Sequence, residues 1–146
     1  MNNTIHLSDY ISSAKKEGFT FVSLTDRNLY GCYKFYQACK KEQMKPLIGL
    51  EITYLDEDQS ETKMLAYAKT NLGYRNLLKI TTYLNTNPQP MGLDFLNDYK
   101  ADIAFIMVYN ESILERYYFS KAFDLLAEKI KYFQKFFDFY VGYSFK

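Results

Sequence analysis

The chain has 146 residues, of which 48% are hydrophobic and 24% charged, enough to bury one core and ordinary for a globular domain. A formal net charge of +1 argues against a domain that coats nucleic acid by bulk electrostatics, and no apolar run approaches the ~18–20 residues of a membrane helix. No charged segment precedes an apolar one at the N-terminus, so nothing reads as a secretory signal and the cytoplasm is the expected compartment.

In chain order the hydrophobic period alternates between that of a helix and that of a strand. Leu7, Tyr10, Ile11 and Ala14 recur at helical spacing behind Ser8, an N-cap candidate, and Gly18 stands where that helix would end. Phe19 to Leu24 is an apolar run too short for a helix and reads as a buried strand. Cys32, Phe35, Tyr36 and Cys39 form a second helical stripe, closed by Lys40, Lys41 and Glu42. Pro46 opens a strand, Leu47 to Leu55. The acidic stretch Asp56 to Glu61 reads as a solvated hairpin loop, with Thr62 to Lys69 as the returning strand. Tyr74, Leu77, Leu78 and Thr81 mark a helix. Asn85 to Pro90 is a loop, followed by a short helix, Leu93 to Tyr99, and a buried strand, Asp102 to Tyr109. Phe119, Ala122, Phe123, Leu126, Ile130 and Phe133 predict one long helix, and Phe137 to Tyr143 a final strand. This rhythm argues for βαβ units and a largely parallel sheet, open or barrel-like, in a single α/β domain.

The cysteines, Cys32 and Cys39, lie about two turns apart on one helix face, which disfavours a disulfide and leaves two buried thiols as the plain reading. The 15 Tyr and 12 Phe match the codon usage of a genome poor in G and C. The acids Asp56, Glu57, Asp58 and Glu61 lack the glycine and terminal Glu of a calcium loop. Lys40, Lys41 and Lys45 could touch nucleic acid, but a helix C-terminus favours lysines in any case. The aromatic stripe from Tyr117 to Tyr143 could stack bases. Its helical spacing points to core first, with some rings left for contacts outside the chain.

Four segments stand in register with one family: Ser23-Leu-Thr-Asp-Arg-Asn-Leu-Tyr-Gly31, Phe35-Tyr-Gln-Ala-Cys-Lys-Lys41, Lys45-Pro-Leu-Ile-Gly-Leu-Glu-Ile52 and Gly73-Tyr-Arg-Asn-Leu-Leu-Lys-Ile80. Together they resemble the PHP domain that begins bacterial DNA polymerase III alpha subunits, whose run has the form T-D-H-x-N-L-[YF]-G, then F-Y-x-A-C, then K-P-I-x-G-x-E. The resemblance covers about Thr4 to Ile80. It implies a distorted, TIM-like βα barrel of seven mostly parallel strands. In active members a cluster of metal ions sits at the C-terminal strand ends, held by histidines and a few carboxylates. Such ions activate a water and clamp phosphate oxygens.

This chain departs from that pattern. Where the motif has its ligand histidine after Thr25-Asp26, Arg27 stands here, and a guanidinium has no lone pair for a cation. Glu51 keeps the carboxylate of the third segment. The opening H-x-H strand of the family would lie before Met1, so Met1 is expected to mark an internal start. The chain holds one histidine, His6, where the family has no ligand. Asp26, Arg27 and Glu51 are therefore expected to be vestigial metal-site positions, with no catalytic residue, no bound metal and no cofactor. Arg27 is further expected to stand in for the lost cation and pair with Glu51. The alternative has Arg27 turned to solvent and Glu51 hydrogen-bonded or hydrated.

The fold expected is an incomplete PHP-type barrel, lacking its first and later strands. The function the resemblance implies is part of a DNA-directed DNA polymerase in chromosomal replication, the fragment itself being structural. Its partners would be the rest of the polymerase chain and the proofreading exonuclease or other replisome subunits. DNA would be met only through the parent protein, and no membrane is expected. The uncovered edges of an incomplete barrel would favour self-association. Alternatives are a stand-alone metal-dependent PHP phosphoesterase, which would bind zinc, manganese or iron, and a small interaction module, which the reading frame beyond Lys146 would reveal.

Overall fold

The structure is a computed structural model, and it describes residues 6–110 and 112–143. Helix α1 (Leu7–Lys16) precedes β1 (Phe21–Asp26), α2 (Cys32–Lys41), β2 (Lys45–Leu55) and β3 (Glu61–Ala68). Then follow α3 (Asn71–Thr86), the two-residue β4 (Met91–Gly92), α4 (Leu93–Tyr99), β5 (Ile103–Val108), α5 (Ile113–Phe119), α6 (Phe123–Phe136) and β6 (Asp138–Gly142). The strands form one sheet in the order β1-β2-β3-β5-β6, with β4 on β2. Strand β3 alone runs against the others, because the β2–β3 hairpin reverses the chain; the pairs β1–β2, β2–β4 and β5–β6 are parallel.

The sheet is open. Strands β1 and β6 end it, and among the described residues they do not pair, so the barrel-like part of the sequence expectation is not met. Closure needs enough tilted, staggered strands to bring the ends together. Here the first and last strands are separated by three full strands that do not return to each other.

All the helices that bury side chains do so on one side of this sheet. The parallel crossovers β1-α2-β2 and β5-α5-α6-β6 step in the same sense across the sheet, so a common right-handed connection puts their helices on a common face. On that face Leu50, Ile52 and Tyr54 of β2 meet Leu77 and Ile80 of α3 and Phe133 of α6 in the main core. A smaller cluster joins Ile11 of α1, Val22 of β1, and Phe35 and Cys39 of α2. The alternate residues, including Leu47, Glu51, Leu65, Tyr67 and Ile106, are half-buried on the opposite face and belong to neither cluster.

Several local expectations change. Ser8 lies inside α1; the extended residue His6 precedes the helix and makes no side-chain cap. Strand β1 starts at Phe21 and is an edge strand, with Phe21 half-exposed. Pro46 sits in β2 before the pairing with β3 begins at Gly49, so its missing N–H faces an unpaired edge. The expected long helix is two helices, α5 and α6, and two residues early in its stripe, Phe119 and Phe123, are exposed.

The break between α5 and α6 has a specific cause. Three helices end in the same doubled turn, where the residue after the cap is left-handed. In α1 it is Gly18 (φ 84), with Phe19 N–H donating to Ala14 O and Gly18 N–H to Lys15 O. In α2 it is Gln43 (φ 58), with Met44 bonded to Cys39 O and Gln43 to Lys40 O. In α5 it is Lys121 (φ 58), with Ala122 bonded to Tyr117 O and Lys121 to Tyr118 O. Only the first uses glycine, the residue whose freedom marks such a stop in a sequence.

Candidate functional site

Strand alternation decides which side each candidate residue takes. The register Asp26↔Leu50 puts Asp26 on the helix-covered side, whereas Thr25↔Gly49 puts Thr25 on the open side together with Glu51. Asp26 turns back on its own chain, its Oδ1 accepting from Arg27 N–H at 2.7 Å. Asn28 does the same two residues on, its Oδ1 accepting from Tyr30 N–H at 3.1 Å. These two short loops of hydrogen bonds shape the turn from β1 into α2. They also leave Asp26 separated from Glu51 by the sheet.

Arg27 and Glu51 do meet. Arg27 Nε donates to Glu51 Oε1 at 3.2 Å, across from the end of β1 to the middle of β2. The expected setting of a buried carboxylate does not hold, because the side chains are 78% and 32% exposed. Such a pair contributes about 0–1 kcal/mol. Beside it, Thr25 Oγ1 and Tyr67 OH share a hydrogen bond of 2.6 Å. The Tyr67 ring lies over Gly49, where an added Cβ would come within 2.6 Å of it. The glycine of the Lys45–Glu51 motif thus makes room for a ring rather than for a turn.

This donor set does not suit a metal ion. Glu51 is engaged by a cation, Asp26 faces the other way, and among the described residues no three His, Cys, Asp or Glu converge on a possible metal position. His6 is exposed at the start of α1. The two cysteines are buried as expected. Burial, and secondarily the charge of Asp26, raises the Cys32 thiol above its ordinary value, and burial raises Cys39. Both are therefore held as unreactive thiols.

One cluster was missed by sequence reasoning. Asp56, expected in a solvated loop, is 2% exposed and Lys129 of α6 is 7% exposed. Lys129 Nζ donates to Asp56 Oδ1 at 2.7 Å, and Tyr54 OH donates to Asp56 Oδ2 at 2.8 Å. Burial above all, then the Asp56 charge, pushes the Tyr54 phenol far above its usual value, so it stays a donor. Arg116 adds bonds to Thr62 Oγ1 and Glu61 O, both at 3.2 Å, tying α5 to the same hairpin. Tyr54 and Asp56, two apart, continue the inward face of β2 into the loop; that spacing was the available signal.

A groove of ≈ 410 Å³ lies on the helix-covered side between α2 and the start of α3, lined by Cys32, Tyr33, Tyr36, Ile48, Thr70 and Tyr74 among others.

The α/β sheet with its helices on one face, and the four motifs placed around Asp26, Phe35, Glu51 and Gly73, define the class. The chain belongs to the PHP domain family, whose sequence profile it matches over residues 1–143. Over this region it is similar to the DNA polymerase III subunit alpha of several bacteria. It is 35% identical to that of Halalkalibacterium halodurans over 104 residues, which is 68% of this chain and 9% of the relative. It is 33% identical to that of Bacillus subtilis over 131 residues, 84% of this chain and 12% of the relative. For Borreliella burgdorferi the identity is 39% over 93 residues, 56% of this chain and 8% of the relative. The chain thus spans about a tenth of the length of these relatives. A solved structure described as a metal-dependent phosphoesterase from Bifidobacterium adolescentis overlaps 66% of this chain and 44% of its own, at 18% identity and a TM-score of 0.39.

Proposed function

We propose that this chain is a non-catalytic PHP module of a polymerase of the polymerase III alpha type, acting in chromosomal DNA replication as a structural and docking part. The observation that carries the reading is Arg27 at the position of a metal-ligating histidine, with its guanidinium bonded to the surviving carboxylate Glu51 at 3.2 Å. A cation there repels a divalent ion and competes for its ligand. The single histidine in the chain leaves no imidazole set to rebuild the site. Nucleotide addition would belong to other parts of the parent chain. Those parts, and the proofreading exonuclease or another replisome subunit, are the partners this reading names, and the half-buried open face of the sheet is a surface available to them.

The test is metal loading. The chain is incubated with zinc, manganese or iron, dialysed, and analysed for bound metal and for hydrolysis of a phosphomonoester and a single-stranded oligonucleotide. The expected result is far less than one ion per chain and no hydrolysis, and Arg27→His alone restores neither. Stoichiometric metal with metal-dependent hydrolysis would overturn the reading and make the chain a phosphoesterase.

A further inference from the structure

We infer that the aromatic cluster at the α5–α6 turn is a two-fold interface for a second copy of this chain. Four of its rings are exposed: Tyr118 at 52%, Phe119 at 73%, Phe123 at 55% and Tyr143 at 66%. Ring contacts join them into one patch. Tyr118 lies 5.8 Å from Phe119 and 5.9 Å from Phe123, and the half-buried Tyr109 links Tyr118, at 6.1 Å, to Tyr143, at 5.8 Å. The stripe that buries Phe133 in the core begins with Phe119 and Phe123, and the break after α5 leaves both outside it. The doubled turn holds one helix end against the other, with Ala122 and Lys121 N–H donating to Tyr117 O and Tyr118 O. Rings already packed on one another in this way lose little freedom on docking.

The size of the patch suits a like partner. With ~200 Å² for a whole aromatic side chain, the four rings offer roughly 500 Å² of apolar surface. A standard interface removes about 800 Å² from each partner, about 65% of it apolar between like copies, which is the same amount. Val141, two residues before Tyr143 and half-exposed, carries the patch to the outer edge of β6.

The charges favour a second copy over a partner of one sign. Segment 118–124 supplies three of the four rings and two charges, Lys121 in the turn and Asp124 after Phe123. Both are exposed, and neither takes part in an ion pair among the described residues. A strongly acidic or strongly basic partner would be attracted by one and repelled by the other. A two-fold axis near Phe123 sets Lys121 of each copy against Asp124 of the other, so the patch is its own complement.

Sedimentation equilibrium of the 146-residue chain across a wide concentration range tests this. The expected result is a monomer–dimer equilibrium that stops at two copies. Phe119→Ser with Phe123→Ser should raise its Kd about a hundredfold or more. The melting temperature, taken at a concentration where the parent is monomeric, should not move. Tyr33→Ser, which removes a similarly exposed ring on α2, should leave the Kd unchanged. Lys121→Asp alone and Asp124→Lys alone should each weaken the dimer by placing like charges across the axis, and the two together should restore it. A strict monomer at every concentration overturns the proposal and assigns the patch to a different chain. Association that survives the phenylalanine variants overturns it in favour of the β6 edge alone. Loss of association with Tyr33→Ser would show general stickiness, and a double charge exchange that fails to restore the dimer would remove the two-fold pairing; either outcome also overturns it. The metal test above bears on none of these results.

Discussion

Two ion pairs in this protein look alike on a list of distances and differ in consequence because of burial. Arg27–Glu51 joins a 78% exposed cation to a 32% exposed carboxylate, and water screens both. Arg27→Ala is expected to lower stability by no more than about 1 kcal/mol. Lys129–Asp56 is 8% and 0% exposed. Removing one partner there strands a charge in the core, and Asp56→Ala is expected to destabilise by about 3–5 kcal/mol. Denaturant unfolding of the two variants beside the parent checks both; equal, small losses would show that the Lys129 ammonium escapes to solvent. The Arg27–Glu51 contact was legible because both residues sit inside motifs with fixed spacing. Asp56 and Lys129 were not, because they are 73 residues apart and only the packing of α6 against the hairpin joins them.

At the scale of elements, short-range patterning placed most helices and strands and failed where a stop has no glycine. Gly18 announced the end of α1. Lys121, left-handed at φ 58, hid the break between α5 and α6, since the penalty for a left-handed lysine, about 1–2 kcal/mol, is met by packing that the sequence does not display. Elements are also held by close approach. Gly73 in α3 lies so near the turn before β5 that an added Cβ would sit 2.1 Å from Asp102 O. Gly73→Ala is expected to cost about 1–3 kcal/mol in a thermal melt through overpacking, even though alanine is the better helix former.

The ends of β3 and β6 are tied by Lys69 Nζ donating to Asp138 Oδ2 at 2.7 Å. That bond is the main cause that holds the Asp138 carboxyl below its ordinary value of 3.8, and it raises Lys69 in turn. A depressed carboxylate stabilises the fold above its unfolded value and loses the contribution as pH falls through the folded one. Stability should therefore be insensitive to this pair from neutral pH down to about pH 4 and fall below that. Asp138→Asn should flatten the pH dependence of the melting temperature in the acid range, and an unchanged acid limb would show the tie to be inconsequential.

For the whole molecule, the open sheet leaves two ends. On β1 the phenol of Tyr10 donates to Ser23 O at 3.2 Å and so covers part of that edge. On β6 the side chains of Tyr140 and Val141 are 56% and 45% exposed beside the outer edge. Edge-to-edge pairing between copies is the expected result in isolation. Sedimentation should show concentration-dependent association that Val141→Lys reduces, and a strict monomer at high concentration would count against it.

The sequence by itself determined the family, the hairpin and the buried thiols. Each is written in residues close together in the chain, where period and motif spacing operate. Tertiary structure decided the rest. Register sent Asp26 and Glu51 to opposite sides of the sheet. The common hand of two crossovers left one face without helices among the described residues. The packing of α6 made a buried ion pair of an apparent surface loop. Those outcomes depend on which strand lies beside which, a property of contacts between distant residues that no local pattern carries.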